Sequence, residues 1–267
     1  MTRLTTTELS VGYDKKIILN DVSIDIPDGK ITSLIGPNGS GKSTLLKALA
    51  RILLPKKGEV LIDGKNIHQL ETKAVAQKIA SLSQSSDQIS GLSVEEIVAY
   101  GRFPYQSGFS GLKKSDHEWI KWALEATDLM DLKDRPLTSL SGGQQQRVWI
   151  AMALAQNTDI LILDEPITFL DPAHQLEILE LLQDINRQGK TILMTIHDLN
   201  HASRFSDYIL GMKEGQLIFQ GSPQEVFTTE NMAELFDIQA VFYSSVSQQK
   251  PMIMSYELLK RRTSDET

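Results

Sequence analysis

The stretch GPNGSGKST, Gly36 to Thr44, constrains this chain more than any other. It follows the apolar run KITSLI and leads into KSTLLKALARIL, where apolar residues recur at helical spacing. A strand, a glycine-rich turn and a helix in that order gather backbone N–H groups and a helix N-terminus around one point, which favours an anion. The pattern G-x-x-x-x-G-K-[ST] in that setting reads as a phosphate-binding loop. By chance it arises in roughly one chain in a hundred of this length, and the flanking elements lower that further. Gly36, Gly39 and Gly41 let the backbone curl towards phosphate oxygens, and Pro37, Asn38, Ser40 and Thr44 are placed with them in the nucleotide-binding set. Lys42 is expected to reach the β- and γ-phosphates, and the Ser43 hydroxyl to hold Mg2+.

What surrounds the loop points to an α/β fold. A length of 267 residues allows one to two domains and a sizeable core. KITSLIG, DILILDE and KTILMTIHD are continuous apolar runs, the pattern of buried parallel strands. Helical spacing appears in KSTLLKALARIL, in HEWIKWALEATDLMDL and in PAHQLEILELLQDINRQG, the last with Leu176, Ile178, Leu179, Leu182 and Ile185 on one face and Gly189 closing it. The first thirty or so residues and DYILGMKEGQLIFQGSP read as antiparallel strands joined by glycine-containing turns. Between about Ser85 and Asn157 the strand signal vanishes, so a helical subdomain of about 85–157 is expected as an insertion into the α/β core. The final KRRTSDET is polar and reads as a frayed end.

Composition narrows the function. The chain carries 27 Lys and Arg against 34 Asp and Glu, a net charge of −7, which argues against a nucleic-acid partner. It has no cysteine, so disulfides and Cys-rich metal sites are excluded. The N-terminal MTRLTTTELS lacks the apolar stretch of a secretion signal. The longest clearly apolar run, VWIAMALA from Val148 to Ala155, is far short of the ~18–20 residues that cross a bilayer.

DILILDEP ends an apolar strand in Asp164 and Glu165, and Pro166 stops the ladder. Ligands of open α/β sheets sit at the C-terminal strand edge, and adjacent strand residues face opposite ways. Asp164 therefore suits Mg2+ and Glu165 suits a general base that polarises an attacking water. His197, at the end of the apolar strand in TILMTIHD, lies at the same edge, where a donor would orient phosphate and water. Gln84 ends the strand-like IASLSQ, and its neutral amide suits Mg2+ or the water. His68, His117, His174 and His201 lack such a setting and read as surface or packing residues.

In LSGGQQQR, Leu140 to Arg147, Ser141 is a favourable N-cap and the glycines leave N–H groups free at a helix start, a second anion-binding device. In isolation a plain helix start explains it equally well. Taken in order, GPNGSGKST, LSGGQQQR, ILILDEP, FLD and TIHD resemble an ATP-binding cassette protein over roughly Leu4 to Phe227.

That resemblance implies a phosphate-loop NTPase (RecA-like) core with an antiparallel β subdomain and an inserted α-helical subdomain, a single ATPase domain over 1–267 with a short C-terminal extension of about 228–267. It implies two subunits paired head to tail, so that Leu140, Ser141, Gly142, Gly143 and Gln144 serve the ATP held by the partner's phosphate loop. Tyr13 matches the aromatic that stacks on adenine, Gln84 the residue coupling the site to a membrane partner, Asp171 the loop across the dimer axis and His197 the switch histidine. Ile167 and Phe169 stand where the family often has small or hydroxylic residues, and Ser83 where proline is frequent, which puts the surroundings of those two loops in question but removes no catalytic group.

YGRFPYQSGF, QRVWIAMALAQ, LDPAHQLEILELL and HDLNHASRFSD resemble the ATPases of importers for ferric siderophores, haem and vitamin B12, with the ferric hydroxamate group nearest. The aromatics Tyr100, Phe103 and Tyr105 either pack the helical subdomain or face a permease. The implied partners are a second copy, an integral-membrane permease and, indirectly, an extracytoplasmic iron-siderophore binding protein. The implied place is the cytoplasmic face of the membrane. A cassette ATPase with only soluble partners is the alternative from another class.

Overall fold

The computed structural model describes residues 2–83, 91–106, 111–244 and 250–259. The chain opens with two long antiparallel strands, β1 (Thr2–Tyr13) and β2 (Lys16–Pro27). Next come β3 (Ile31–Ile35), helix α1 (Lys42–Leu49), β4 (Lys57–Ile62) and β5 (Lys65–Asn66). Helix α2 (Thr72–Ala76) and β6 (Ile79–Leu82) lead to helices α3 (Val94–Ala99), α4 (Lys114–Ala126) and α5 (Gly142–Ala155). Strand β7 (Ile160–Leu163), helix α6 (Pro172–Arg187), strand β8 (Thr191–Thr195) and helix α7 (Leu199–Phe205) then alternate. The hairpin β9 (Tyr208–Lys213) and β10 (Gln216–Gly221) is followed by α8 (Pro223–Val226), α9 (Thr229–Phe236) and a last hairpin of β11 (Ile238–Ser244) and β12 (Pro251–Leu258).

The central sheet runs β10-β9-β3-β8-β7-β6, parallel from β9 to β6, with β10 antiparallel at one edge. Every residue of β3, β7 and β8 is buried, which is why these strands read as unbroken apolar runs. Their period-two alternation sorts side chains into two cores. Ile35, Leu161, Leu163, Ile192 and Met194 face the cluster that holds Ile97, Ile120, Leu154, Ile178 and Leu182 from helices α3 to α6. Leu34, Ile162 and Leu193 face the other way, onto Leu45 and Leu49 of α1 and onto Leu4, Leu19 and Ile24 of the second sheet, ordered β2-β1-β4-β5.

Two local expectations need correction. The β1–β2 turn holds no glycine: Asp14 takes the left-handed conformation at φ +47°, which Asp tolerates better than most residues. The β9–β10 turn does use one, in Glu214–Gly215. Helix α1 is also shorter than its apolar run, because Arg51 turns left-handed at φ +62° and the Ile52 and Leu53 N–H groups return to the Lys47 carbonyl. Ile52 and Leu54 are consequently exposed.

Among helices α3 to α5, the segment around Arg102 is pinned from inside. The Arg102 and Asp116 side chains form a buried ion pair at 2.9 Å, and Arg102 Nη1 donates to the Ala155 carbonyl at the end of α5. The guanidinium also lies over the Tyr105 ring. Tyr100 and Phe103 stay exposed, so the aromatics of YGRFPY split between packing and surface. The last hairpin joins α7 through a paired hydrogen bond between Asn200 and Ile253 and through Ser203 Oγ donating to the Pro251 carbonyl. No helix among the described residues is long and apolar enough to cross a membrane.

Candidate functional site

The loop after β3 is built from glycines in conformations that other residues rarely adopt. Gly36, Gly39 and Gly41 lie at φ +150°, +78° and +102°. A Cβ on Gly36 would fall 2.1 Å from the Met212 carbonyl oxygen, and one on Gly41 would fall 2.7 Å from Leu19 Cδ2. The loop is thus wedged between β2 and the β9–β10 hairpin, where Gly215 N–H donates to the Ser40 carbonyl and Asn20 N–H to the Gly215 carbonyl. Tyr13, beside the turn of the β1–β2 hairpin, is exposed. Asn38 and Gly39 face solvent, whereas Thr44 is buried.

Lys42 is buried, and its Nζ donates to the Gly36 and Pro37 carbonyls at 2.7 and 3.0 Å. Burial pushes its ammonium below the usual lysine range, against the pull of the Glu165 and Asp164 charges. Ser40 Oγ is buried with no hydrogen-bond partner among the described residues. A desolvated cation, an orphaned hydroxyl and a ring of glycines fit a phosphate group.

At the sheet edge, Asp164 Oδ1 accepts from Thr195 Oγ1 at 2.8 Å and from Ser43 Oγ at 3.3 Å. Both carboxylates follow β7, but strand alternation is not what separates them. Glu165 takes φ +55°, so the chain turns there and sends the two side chains apart. Its N–H donates to Thr195 Oγ1 at 2.6 Å, its Oε2 accepts from Thr168 Oγ1 at 3.0 Å, and its Oε1 lies 2.9 Å from His197 Nε2. The structure therefore joins Lys42, Ser43, Asp164, Glu165 and His197 in one constellation. The Ser43 hydroxyl and the Asp164 carboxylate are hard oxygen donors that fit Mg2+, which takes one or two carboxylates plus phosphates and waters rather than a protein cage. No group of three or more His, Cys, Asp or Glu suited to a metal occurs among the described residues.

Leu140–Gln144 stands apart. Ser141 caps α5 by accepting from the Gln144 N–H, and the Gln144 side chain accepts in return from the Ser141 N–H, a capping box. Gly142 faces open space, whereas Gly143 is buried against His174. A cavity of about 340 Å³ lies between Gln145, Gln146 and Trp149 of α5 and Asp164, Glu165 and Thr168 of the sheet edge. Asp171 caps α6, accepting from the His174 N–H at 3.0 Å and meeting His174 Nδ1 at 2.8 Å. Ile167 is buried, and Phe169, at φ +65°, is almost fully exposed. Gln84 lies outside the described residues.

Sequence reasoning missed Thr195 and Thr168. Thr195 and Thr168 are hydroxyls in otherwise apolar or turn-forming surroundings, and a polar residue inside the run TILMTI was the available signal for the first. His174, read from the sequence as a surface or packing residue, packs on Gly143 and is bound to Asp171 three positions before it, the N-cap-to-N3 distance.

Residues 19–168 match the ABC transporter family. The iron(3+)-hydroxamate import ATP-binding protein FhuC of Bacillus subtilis (strain 168) is 51% identical over 261 residues, which cover 97% of each chain. The ferric enterobactin transport ATP-binding protein FepC of Escherichia coli (strain K12) is 40% identical over 94% of this chain and 93% of its own. A dimeric ATP-binding cassette in a post-hydrolysis state, bound to ADP and Pi, superposes with a TM-score of 0.72 at 33% identity, covering 82% of this chain and 98% of the other.

Proposed function

The chain belongs to the ABC transporter family, and on that premise we propose that it is the ATP-hydrolysing subunit of an importer for a ferric siderophore, of hydroxamate type. The observation that carries the reading is the unbroken set of contacts from Ser43 through Asp164 and Thr195 to Glu165 and His197 beside a buried Lys42. Similarity to FhuC over nearly the whole chain supports the cargo class.

On this reading the residues take the following roles. Gly36 to Thr44 wrap the ATP phosphates, and Lys42 exchanges the Gly36 and Pro37 carbonyls for β- and γ-phosphate oxygens. Tyr13, on the neighbouring hairpin, stacks on adenine. Ser43 and Asp164 hold Mg2+, which supplies charge neutralisation when bound. Glu165 accepts the proton of the attacking water, an effect typically worth 10²–10⁴ in rate. His197 holds the Glu165 carboxylate from one side and Thr168 from the other, which fixes the direction of that acceptor. Gln84 contributes to Mg2+ and water, as the family resemblance implies.

Leu140–Gln144 serves a second copy's ATP, and Asp171 lies where the copies cross. The whole chain acts as one ATPase domain with a helical subdomain of about 85–157 and an extension of about 228–267. It sits peripherally on the cytoplasmic face, bound to a membrane permease that receives cargo from an extracytoplasmic binding protein. ATP binding closes the dimer and hydrolysis reopens it, and the permease alternates access with that cycle.

The test is a pull-down of tagged Glu165→Gln chain from detergent-solubilised membranes with and without ATP, with partners identified by mass spectrometry. A polytopic permease and a substrate-binding protein are expected, and the wild-type chain reassembled with them is expected to hydrolyse ATP faster when a ferric hydroxamate is added. Recovery of soluble partners only would overturn the importer.

A further inference from the structure

The two glycines of the Ser141–Gln144 stretch have different surroundings. A Cβ on Gly142 would meet nothing within 4 Å. A Cβ on Gly143 would lie 2.7 Å from His174 Cδ2 and 2.9 Å from Cγ, so the imidazole is seated against this glycine's α-carbon. The ring is itself held in place. Asp171 Oδ2 lies 2.8 Å from Nδ1, while Asp171 Oδ1 accepts the His174 N–H at 3.0 Å. These contacts, the backbone one foremost, hold the Asp171 carboxyl below the usual carboxylate range, so it accepts and Nδ1 carries the ring proton.

One turn further along both helices, the Arg147 guanidinium of α5 pairs with the Glu177 carboxylate of α6. The starts of α5 and α6 are therefore joined at two levels. At the residue after His174, α6 is tied to its own lead-in loop and to α7: Gln175 Nε2 donates to the Leu170 carbonyl, and Gln175 Oε1 lies 3.3 Å from His201 Nε2 on α7, the helix after His197.

We infer that His174 is a positioning residue for ATP hydrolysis: clamped by Asp171 and seated on Gly143, it sets where the Gly142 and Gly143 N–H groups stand. These first-turn groups have no acceptor within their own helix, which suits them to an anion. The inference rests on the reading that Leu140–Gln144 serves the ATP of a second copy. It adds that the histidine acts on the partner's nucleotide, not on the one held by its own Lys42.

The experiment measures ATP turnover, ATP affinity and Tm for the purified full-length chain. His174→Ala is expected to lower kcat by about 10-fold or more, within the ~10²-fold that a 1 Å misplacement costs, with Tm and the affinity of the monomer for ATP nearly unchanged. His174→Asn keeps an N–H for Asp171 and should restore most of the rate. Gly143→Ala places a methyl where the ring sits and should be inactive, and adding His174→Ala should recover part of its turnover. Equal damage by Gly143→Ala in both backgrounds, or no rescue by Asn, overturns the assignment.

Mixed dimers then locate the effect. Lys42→Ala mixed with His174→Ala should retain about one working site, and Lys42→Ala/His174→Ala in one chain mixed with wild type should not. The reverse pattern assigns His174 to its own subunit's site and overturns the inference. The control mixes Ser141→Arg with Lys42→Ala. If that control shows no recovery, the shared-site reading falls, and the Gly143→Ala pair still decides whether His174 positions α5.

Discussion

Two helices of this chain begin with glycines, and they begin in opposite ways. Helix α1 starts at Gly41, φ +102°, with no side-chain cap, and its first residue is a buried lysine resting on two carbonyls of its own loop. Helix α5 starts at Ser141, φ −64°, with a reciprocal capping box. The first leaves its N–H groups, a cation and the Ser40 hydroxyl for a ligand to complete. The second satisfies what it can from within and presents only its first turn, against a ring from α6. An uncapped start surrounded by its own chain is a pocket, whereas a capped start at an exposed corner is a surface offered to something else.

Breaking the pocket side should have the largest effect. Lys42→Ala is expected to abolish ATP binding measured by equilibrium dialysis, while Tm stays at least unchanged, because a desolvated cation leaves the fold. Unchanged nucleotide affinity would remove α1 as the phosphate helix. Glu165→Gln comes next. It should retain ATP and lose turnover by at least ~10²-fold in a single-turnover assay, and near-native turnover would exclude it as the base.

On the surface side, loss of the Ser141 cap should act more weakly, and on stability as well as rate. Ser141→Ala removes the cap and should cost about 1 kcal/mol, read as a lower midpoint in urea. An unchanged midpoint would mean that the capping box is not what holds the start of α5.

The smallest contrast lies in pH. Burial lowers the Lys42 pKa from 10.5, so the unfolded chain binds more protons as pH approaches that value, and stability rises towards it. Asp171 is lowered from 3.8, chiefly by the His174 N–H, so its contribution is present above that value and is lost as pH falls below it. Lys42→Met should flatten the alkaline rise in Tm and leave the acid fall, and Asp171→Asn should do the converse. A single variant that flattened both would show the two helix starts to be energetically one unit.

Much of this was legible in the chain because it is local. GPNGSGKST needs its glycines wherever it folds: the two that the pattern demands, Gly36 and Gly41, lie at positive φ, and so does Gly39 between them. DILILDEP and TILMTIHD announced buried parallel strands ending in functional groups, and β7 and β8 pair in register from Ile160 with Thr191 to Leu163 with Met194. That pairing lays Thr195 beside Asp164, which neither segment could reveal separately. Thr168 reaches Glu165 only because the chain turns left-handed at Glu165, and His174 reaches Gly143 only because α6 packs beside α5.

The sequence by itself determined the parts whose chemistry is carried by neighbours in the chain: the phosphate loop, the acidic strand end, the Ser141 cap, the buried strands. The tertiary structure decided which hydroxyls orient the two carboxylates, which glycine lies against a ring and which faces open space, and that one glycine-led helix starts within its own loop and the other at an exposed cap. The physical reason is range. Backbone conformation and capping are settled within a few residues, whereas hydrogen bonds such as Thr195 to Asp164, 31 positions apart, exist only once strands and helices have found their neighbours.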